Sequence, residues 1–170
     1  MRQNGKETKL NTDSAHKNSW AISEVVFGIP FLISIALHYI VPFSTPQGIL
    51  RLAFIPVGII LLIIGIVIVV LARREFANYG QPTDPGHPTG KIVKTGVFSV
   101  SRNPLYLASV FIFLGIALTF YMPWALVMLL VSIVLCHIVL IIPEEKYLAA
   151  KFGDEYEEYT ASVHRWIGRK

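Results

Sequence analysis

Four long apolar runs constrain this chain more than any other feature. They lie at residues 20–41, 49–72, 105–120 and 124–142. An α-helix crosses the hydrocarbon core of a bilayer in roughly 20 residues at about 1.5 Å per residue, and only the run at 105–120 is slightly short of that. Proline and glycine between the first two runs, and Tyr121-Met122-Pro123 between the last two, mark turns. The pattern predicts an all-α integral membrane protein with about four transmembrane helices.

The composition supports a membrane location and excludes two kinds of site. Apolar residues make up 54% of the 170 residues, more than a soluble domain of this size normally carries. The net charge of +4 comes from basic residues that flank the apolar runs, so we expect membrane lipids and not nucleic acid as partners. A single cysteine, Cys136, and five scattered histidines predict neither a disulfide nor a metal site.

The distribution of Lys and Arg predicts the orientation in the membrane. Arg51 lies in an outer connection, whereas the other fourteen of the fifteen basic residues lie in the N-terminal segment, the central loop with its edges, or the C-terminal tail. Basic residues accumulate on the cytoplasmic side of membrane proteins. We therefore expect a multi-pass protein with its N-terminus, central loop and C-terminus in the cytoplasm.

The segments outside the apolar runs have different characters. Residues 1–18 read as a disordered tail before a single membrane domain at 19–170, and residues 73–104 form a long cytoplasmic loop rich in Pro, Gly and Thr. Within 144–166, aromatic residues recur at helical spacing and are interrupted at Gly153-Asp154. This pattern predicts short amphipathic cytoplasmic helices, with Trp166 as an anchor at the membrane interface.

Two polar clusters are expected to meet at one membrane depth. Arg102 lies 20 residues before Met122, the centre of the last turn, and Glu144 lies 22 residues after it. At 1.5 Å per residue each is roughly 30 Å from the turn, so Arg102 shares a pocket with Glu144 and Glu145 if the two helices pack side by side. An ionisable cluster at the bilayer boundary is a functional-site hypothesis. Spacing alone leaves open a simpler interpretation. In it, Arg102 is one of the basic residues on the cytoplasmic side, and Glu144 and Glu145 lie in the first turn of a helix, where carboxylates complement the helix dipole.

Three sequence stretches resemble a known enzyme family. They are TGVFSVSRNPLYL at 95–107, PEEKYLAAKFGDEYEEY at 143–159 and VHRW at 163–166. Together they are similar to the isoprenylcysteine carboxyl methyltransferases and their relatives, the phospholipid N-methyltransferases, from about Thr83 to Trp166, as in small prokaryotic members. The family pattern Arg-His-Pro-x-Tyr matches Arg102, Pro104 and Tyr106, while Asn103 replaces the histidine and offers an amide that donates and accepts hydrogen bonds.

The resemblance implies S-adenosylmethionine-dependent methyl transfer to a hydrophobic or lipid-like acceptor, such as an isoprenylcysteine carboxylate, at the cytoplasmic face. It implies Arg102, Glu144 and Glu145 as catalytic residues. The cofactor-binding residues would be those three together with Gly96, His87, Asn103, Pro104, Tyr106 and Tyr147. Carboxylates suit the ribose diol and ammonium of the cofactor, whereas Arg102 with Asn103 suits its carboxylate. The Tyr106 ring suits the adenine or the sulfonium.

Other functions stay open at this point. The acceptor is a lipophilic small molecule or a prenylated group, and a phospholipid amine or a small thiol would suit the same chemistry. A membrane reductase of the sterol-reductase type would bind NADPH instead, and titration with the two cofactors separates the two classes. A non-catalytic membrane module is disfavoured because no ionisable residue lies near the middle of an apolar run.

Overall fold

The computed structural model describes residues 19–42, 48–80 and 90–170. Its α-helices are α1 (Ser19–Ile40), α2 (Ile49–Asn78), α3 (Pro104–Thr119), α4 (Pro123–Leu135), α5 (Ile142–Phe152) and α6 (Asp154–Ser162). A 3₁₀ turn (Gly96–Ser99) precedes α3, and a π segment (Cys136–Ile141) joins α4 to α5. The described residues contain no strand, only a single β-bridge between Val163 and Arg169. The predicted helical architecture is confirmed, whereas the predicted tail at 1–18 lies outside the described residues.

Helices α2 and α3 pack closely because small residues line their contact. A Cβ on Gly115 of α3 would lie 2.7 Å from the carbonyl oxygen of Gly58, and one on Gly65 of α2 would lie 2.9 Å from that of Ala108. Small residues allow two helix backbones to approach each other at such short distances. Although α3 and α4 form a hairpin, α3 therefore makes its most extensive contact with α2.

Helix α1 packs on α4 and completes an apolar core near the π segment. The ring of Phe27 stacks on that of Phe113 with the centroids 5.7 Å apart. Leu129, Cys136 and Leu140 belong to the same buried cluster. The indole Nε1 of Trp124 also donates to the Val41 carbonyl at 2.9 Å, which ties the start of α4 to the end of α1.

The apolar exterior of the bundle indicates association with a membrane. Among the described residues, two helices are long and apolar enough to cross a bilayer, at Leu52–Asn78 and Pro123–Phe152. The apolar helices at Glu24–Ile40 and Pro104–Thr119 are shorter. Large apolar side chains stay exposed along α1, α2 and α4, over a surface much larger than soluble monomers expose. Four crossings remain a prediction.

The helix bounds differ from the expectation at three places. Helix α2 continues past residue 72 to Asn78, because Ala72 and Phe76 pack against Val93 and Phe98 of the following loop. The predicted loop at 73–104 therefore begins as helix. The last apolar run also continues without a break through Pro143 into α5, because the π segment directly before α5 accommodates the missing backbone N–H of the proline. Gly153, at φ +51°, separates α5 from α6 as predicted, but α6 ends at Ser162 and not at residue 166.

The π segment keeps the buried face of the α4–α5 helix in register. The buried residues of this continuous helix include Ser132, Cys136 and Leu140, which are spaced four apart, and Glu144 follows at the same interval. In a regular α-helix each step of four overshoots a full turn by roughly 40°, so three steps would carry Glu144 away from α3. The wider π turn absorbs this drift. Such turns are frequent at functional sites, and this one ends at Ile141, three residues before Glu144.

Candidate functional site

A short loop ahead of α3, the arginine loop (residues 100–103), is fixed in place by the end of the chain. Residues 163–170, the C-terminal hook, fold back over it. The backbone N–H of Gly168 donates to the Val100 carbonyl at 2.7 Å, and the N–H of Arg102 donates to the His164 carbonyl at 3.2 Å. The amide Nδ2 of Asn103 donates to the Arg165 carbonyl at 3.1 Å. These bonds bring Arg102 and Arg165 to the same place.

Glu145 joins the two arginines. Its Oε1 lies 3.1 Å from Nη1 of Arg102, and the Arg165 guanidinium donates from Nε to Oε1 at 2.9 Å and from Nη2 to Oε2 at 2.5 Å. The Arg102 and Glu145 side chains are 10% and 17% exposed, and that of Arg165 is 35% exposed. The hydrogen bonds to Glu145 raise the pKa of Arg165, which keeps it charged. The predicted meeting of Arg102 with the glutamate pair is confirmed at Glu145.

The Arg102 guanidinium is only partly satisfied by the protein. Its Nη1 donates to the Tyr156 hydroxyl at 3.3 Å in addition to its contact with Glu145. Its Nε is buried and has no acceptor among the described residues. Burial raises the pKa of Tyr156, with the nearby Glu145 charge adding to the shift, so its hydroxyl stays neutral beside the arginine. A buried donor without a partner is costly, and an acceptor on a ligand would satisfy it.

Glu144 has a different partner from its neighbour. Its Oε2 accepts a hydrogen bond from the Tyr106 hydroxyl at 3.0 Å, which connects the start of α5 to the first turns of α3. Tyr106 also packs against the buried cluster that contains Cys136 and Leu140. The two glutamates thus face separate neighbours: Glu145 faces the arginine loop and the hook, and Glu144 faces α3.

The other predicted site residues lie at varying places. Asn103 is buried, with its amide directed to the hook, and Pro104 begins α3. Gly96, at φ +57°, begins the 3₁₀ turn, where an added Cβ would lie 2.6 Å from the Glu75 carboxylate. The Tyr147 hydroxyl accepts a hydrogen bond from Lys151 at 3.0 Å, so its partner is a neighbour on α5 and not Arg102. His87 lies outside the described residues.

Sequence reasoning missed Arg165 as a member of this cluster. The residue lies 20 positions after Glu145, beyond two helices, and no periodic pattern connects them. Its signal was present in the VHRW stretch that carries part of the resemblance. Trp166, predicted to anchor at the membrane interface, packs against the buried cluster of Phe27 and Leu129 and so fastens the hook to the bundle.

Comparison with known protein families identifies the chain. The family model for phospholipid methyltransferase matches residues 53–155, which is more than half of the chain. The protein belongs to the phospholipid methyltransferase family. Searches of the curated proteins and of the solved structures gave no significant match.

The match to this methyltransferase family includes the central part of the cluster. Arg102, Glu144 and Glu145 lie inside the matched residues, whereas Tyr156 and the C-terminal hook lie beyond its end. The resemblance found in the sequence is therefore confirmed at the level of the family.

Proposed function

We propose that this chain is an S-adenosylmethionine-dependent methyltransferase that acts on a lipid-like acceptor at the cytoplasmic face of a membrane. The observation that carries the proposal is the buried Arg102 guanidinium, which is held by Glu145 and keeps one donor for a ligand. It lies within the region that matches a methyltransferase family. The apolar exterior of α2 supports an acceptor that arrives from lipid.

The residues around Arg102 fit the polar groups of S-adenosylmethionine. The aminoacyl carboxylate of this molecule needs a cation or amide donors, and Arg102 with the unpartnered Nε provides them. Its ribose hydroxyls and ammonium need acceptors, and the carboxylate of Glu144 provides one. The rings of Tyr106 and Tyr156, which flank the two charged groups, suit the adenine and the sulfonium.

S-adenosylmethionine would supply, when bound, an activated methyl group for transfer to a nucleophilic atom of the acceptor, with S-adenosylhomocysteine as the leaving group. The work of the protein is then to hold both molecules and to exclude water. Arg102 and Glu144 would orient the cofactor, while Tyr156 of α6 and the backbone of the hook hold Arg102 and its loop in place. A carboxylate acceptor is already ionised and needs no base, whereas an amine acceptor has to lose a proton, for which Glu144 and Glu145 are the candidates.

The acceptor is proposed as a lipid whose reactive group lies at the membrane surface. The cavity between α1, α3 and α4, lined by Phe27, Phe31 and Phe113 among others, measures about 10 Å³. That is about the space of one water molecule, so this cavity does not hold an acyl or prenyl chain, and we place such a chain along the exposed apolar faces of the helices. The family description favours the amine of a phospholipid, and the sequence resemblance to the isoprenylcysteine enzymes favours a prenylcysteine carboxylate.

Methyl-labelling distinguishes these acceptors. Purified protein in detergent would be incubated with methyl-labelled S-adenosylmethionine and either total membrane lipid or a prenylcysteine analogue. We expect label in a lipid-extractable product, with an alkali-stable N-methyl group for an amine acceptor and an alkali-labile methyl ester, which releases the label as methanol, for a carboxylate acceptor. Failure of the wild-type chain to bind S-adenosylmethionine, or binding of NADPH in its place, would refute the proposal.

The proposed topology has four crossings with both termini in the cytoplasm. Its support is the concentration of basic residues in three segments and the exposed apolar surfaces of α1, α2 and α4. Single cysteines introduced into a Cys136→Ser background would be labelled with a membrane-impermeant thiol reagent. Labelling in intact cells at the connection between α1 and α2, and only after lysis at the C-terminal hook, is expected; the opposite pattern would reverse the orientation.

A further inference from the structure

We infer that Arg165 is a positioning residue of the methyl-transfer site, which acts through Glu145 to fix the orientation of Arg102. The inference rests on the proposed function and deepens it. It assigns a role to the C-terminal hook, which lies outside the part of the chain that matches the family. The ligand group that depends on this arrangement is the aminoacyl carboxylate of the cofactor.

The contacts form a chain of three side chains from three separate segments. Arg165 of the hook binds both oxygens of Glu145 on α5, with a planar fork that fixes the plane of the carboxylate. Oε1 of the same carboxylate also forms an ion pair with Nη1 of Arg102, which lies in the arginine loop. Rotation of the Glu145 carboxylate would therefore move the oxygen atom that holds the Arg102 guanidinium.

The orientation of Arg102 decides which of its donors a ligand meets. Nη1 of Arg102 contacts both the Glu145 carboxylate and the Tyr156 hydroxyl, so this nitrogen already has partners within the protein. The buried Nε has no acceptor among the described residues, and it is left for a ligand. Because Arg102 is 90% buried, few other side-chain orientations are open to it while Glu145 stays in place.

The backbone of the hook places Arg165 independently of its side chain. The carbonyls of His164 and Arg165 accept hydrogen bonds from the arginine loop, and Trp166 packs in the buried cluster. None of these contacts uses the Arg165 guanidinium. Loss of that guanidinium is therefore expected to release Glu145 without releasing the hook.

The test compares two ligands that differ at the cofactor carboxylate. The full chain in detergent would be titrated calorimetrically with S-adenosylhomocysteine and with methylthioadenosine, which has the same nucleoside but lacks the aminoacyl group. In Arg165→Ala we expect the affinity for S-adenosylhomocysteine to fall by about tenfold, as for one lost hydrogen bond to a charged group. The affinity for methylthioadenosine should be unchanged. A merely structural role would weaken both ligands together, and that result would overturn the inference.

Three further variants sharpen the result. Arg169→Ala removes another arginine of the hook, one that binds Ser99 and not Glu145, and should behave as wild type. Arg165→Lys keeps the charge but loses the fork, so it should lose S-adenosylhomocysteine affinity even if the alanine variant fails to fold. The double variant Arg165→Ala with Glu145→Gln should bind no more weakly than Glu145→Gln alone, because both changes break one chain of contacts.

The outcomes separate this inference from the proposed function. Wild-type protein that binds neither ligand would refute the methyltransferase site itself. Wild-type protein that binds S-adenosylhomocysteine, with Arg165→Ala and Arg165→Lys binding it equally well, would overturn the role of Arg165 alone. Additive losses in the double variant would show that Arg165 acts on the ligand without Glu145 and would also overturn it.

Discussion

Arg165 binds Glu145 through two parallel hydrogen bonds, with Nε 2.9 Å from Oε1 and Nη2 2.5 Å from Oε2. The two residues come from opposite ends of the segment that follows the last long apolar run, and their contact holds the chain end beside the arginine loop. Arg102 then meets Glu145 from the other side. The candidate site is thus built by a loop, a helix start and a chain end that are distant in sequence.

Replacement of Arg102 is expected to weaken cofactor binding while preserving the hook. In Arg102→Ala, Glu145 keeps its fork with Arg165, so the carboxylate is not left without a cation. We expect the affinity for S-adenosylmethionine to fall by about tenfold to a hundredfold, the range for hydrogen bonds between charged groups. Equilibrium dialysis with labelled cofactor measures this change. Undiminished binding in this variant would remove Arg102 from the site.

The two adjacent glutamates are expected to respond differently to the same substitution. In Glu144→Gln the amide oxygen still accepts from Tyr106, so thermal stability should change by less than about 0.5 kcal/mol while cofactor affinity falls. In Glu145→Gln the guanidiniums of Arg102 and Arg165 lose the negative charge of their shared partner. The free energy of unfolding should fall by about 2 kcal/mol, a value that allows for the partial exposure of Arg165.

Cys136 offers a direct measurement of this difference. It is the single cysteine of the chain and is fully buried, so a thiol-reactive fluorogenic dye reports unfolding of the core in detergent. The midpoint should fall clearly in Glu145→Gln and hardly at all in Glu144→Gln. Equal midpoints for the two variants would contradict the assignment of separate partners.

The close packing of α2 on α3 predicts a strong effect at a helical glycine. In Gly115→Ala the new Cβ would lie 2.7 Å from the Gly58 carbonyl oxygen and 2.8 Å from the Leu62 backbone nitrogen, so the helices have to separate. We expect a loss of about 1–3 kcal/mol, as for other overpacked contacts. The matched control is Gly28→Ala on α1, where a Cβ meets no atom within 4 Å and the better helix propensity of alanine should stabilise slightly. A thermal midpoint for Gly115→Ala at or above that of wild type would refute the close approach.

The sequence predicts the helices and the central contact of the site, but not how the chain end closes it. The lengths of the four apolar runs predict α1 to α4, and similar distances from the Met122 turn bring Arg102 to the glutamate pair, since both depend on helix geometry. The π segment could not be predicted, because it changes the direction in which the following side chains point around the helix without changing the apolar composition of the sequence. Arg165 could not be predicted because its position follows from the Gly153 turn and from backbone hydrogen bonds between the hook and the arginine loop. The role of the remaining predicted residues, including Tyr147 and Gly96, stays a prediction.

Tyr159 is expected to make stability depend on alkaline pH. Its buried hydroxyl donates to the Phe98 carbonyl at 2.7 Å, and burial raises its pKa above the ordinary value of 10.0. The folded chain therefore keeps this proton where the unfolded chain has lost it, so the contribution is complete below about pH 10 and is lost as the pH rises further. In Tyr159→Phe the Phe98 carbonyl loses its donor, which should cost about 1–3 kcal/mol at neutral pH. Above pH 10 the stability of this variant should decline less steeply than that of wild type.

Chemical unfolding of the detergent-solubilised protein between pH 7 and about pH 11 measures both effects. Tyr39→Phe, which changes an exposed residue of α1, is the control. A variant with the alkaline slope of wild type would show that Tyr159 does not titrate with folding.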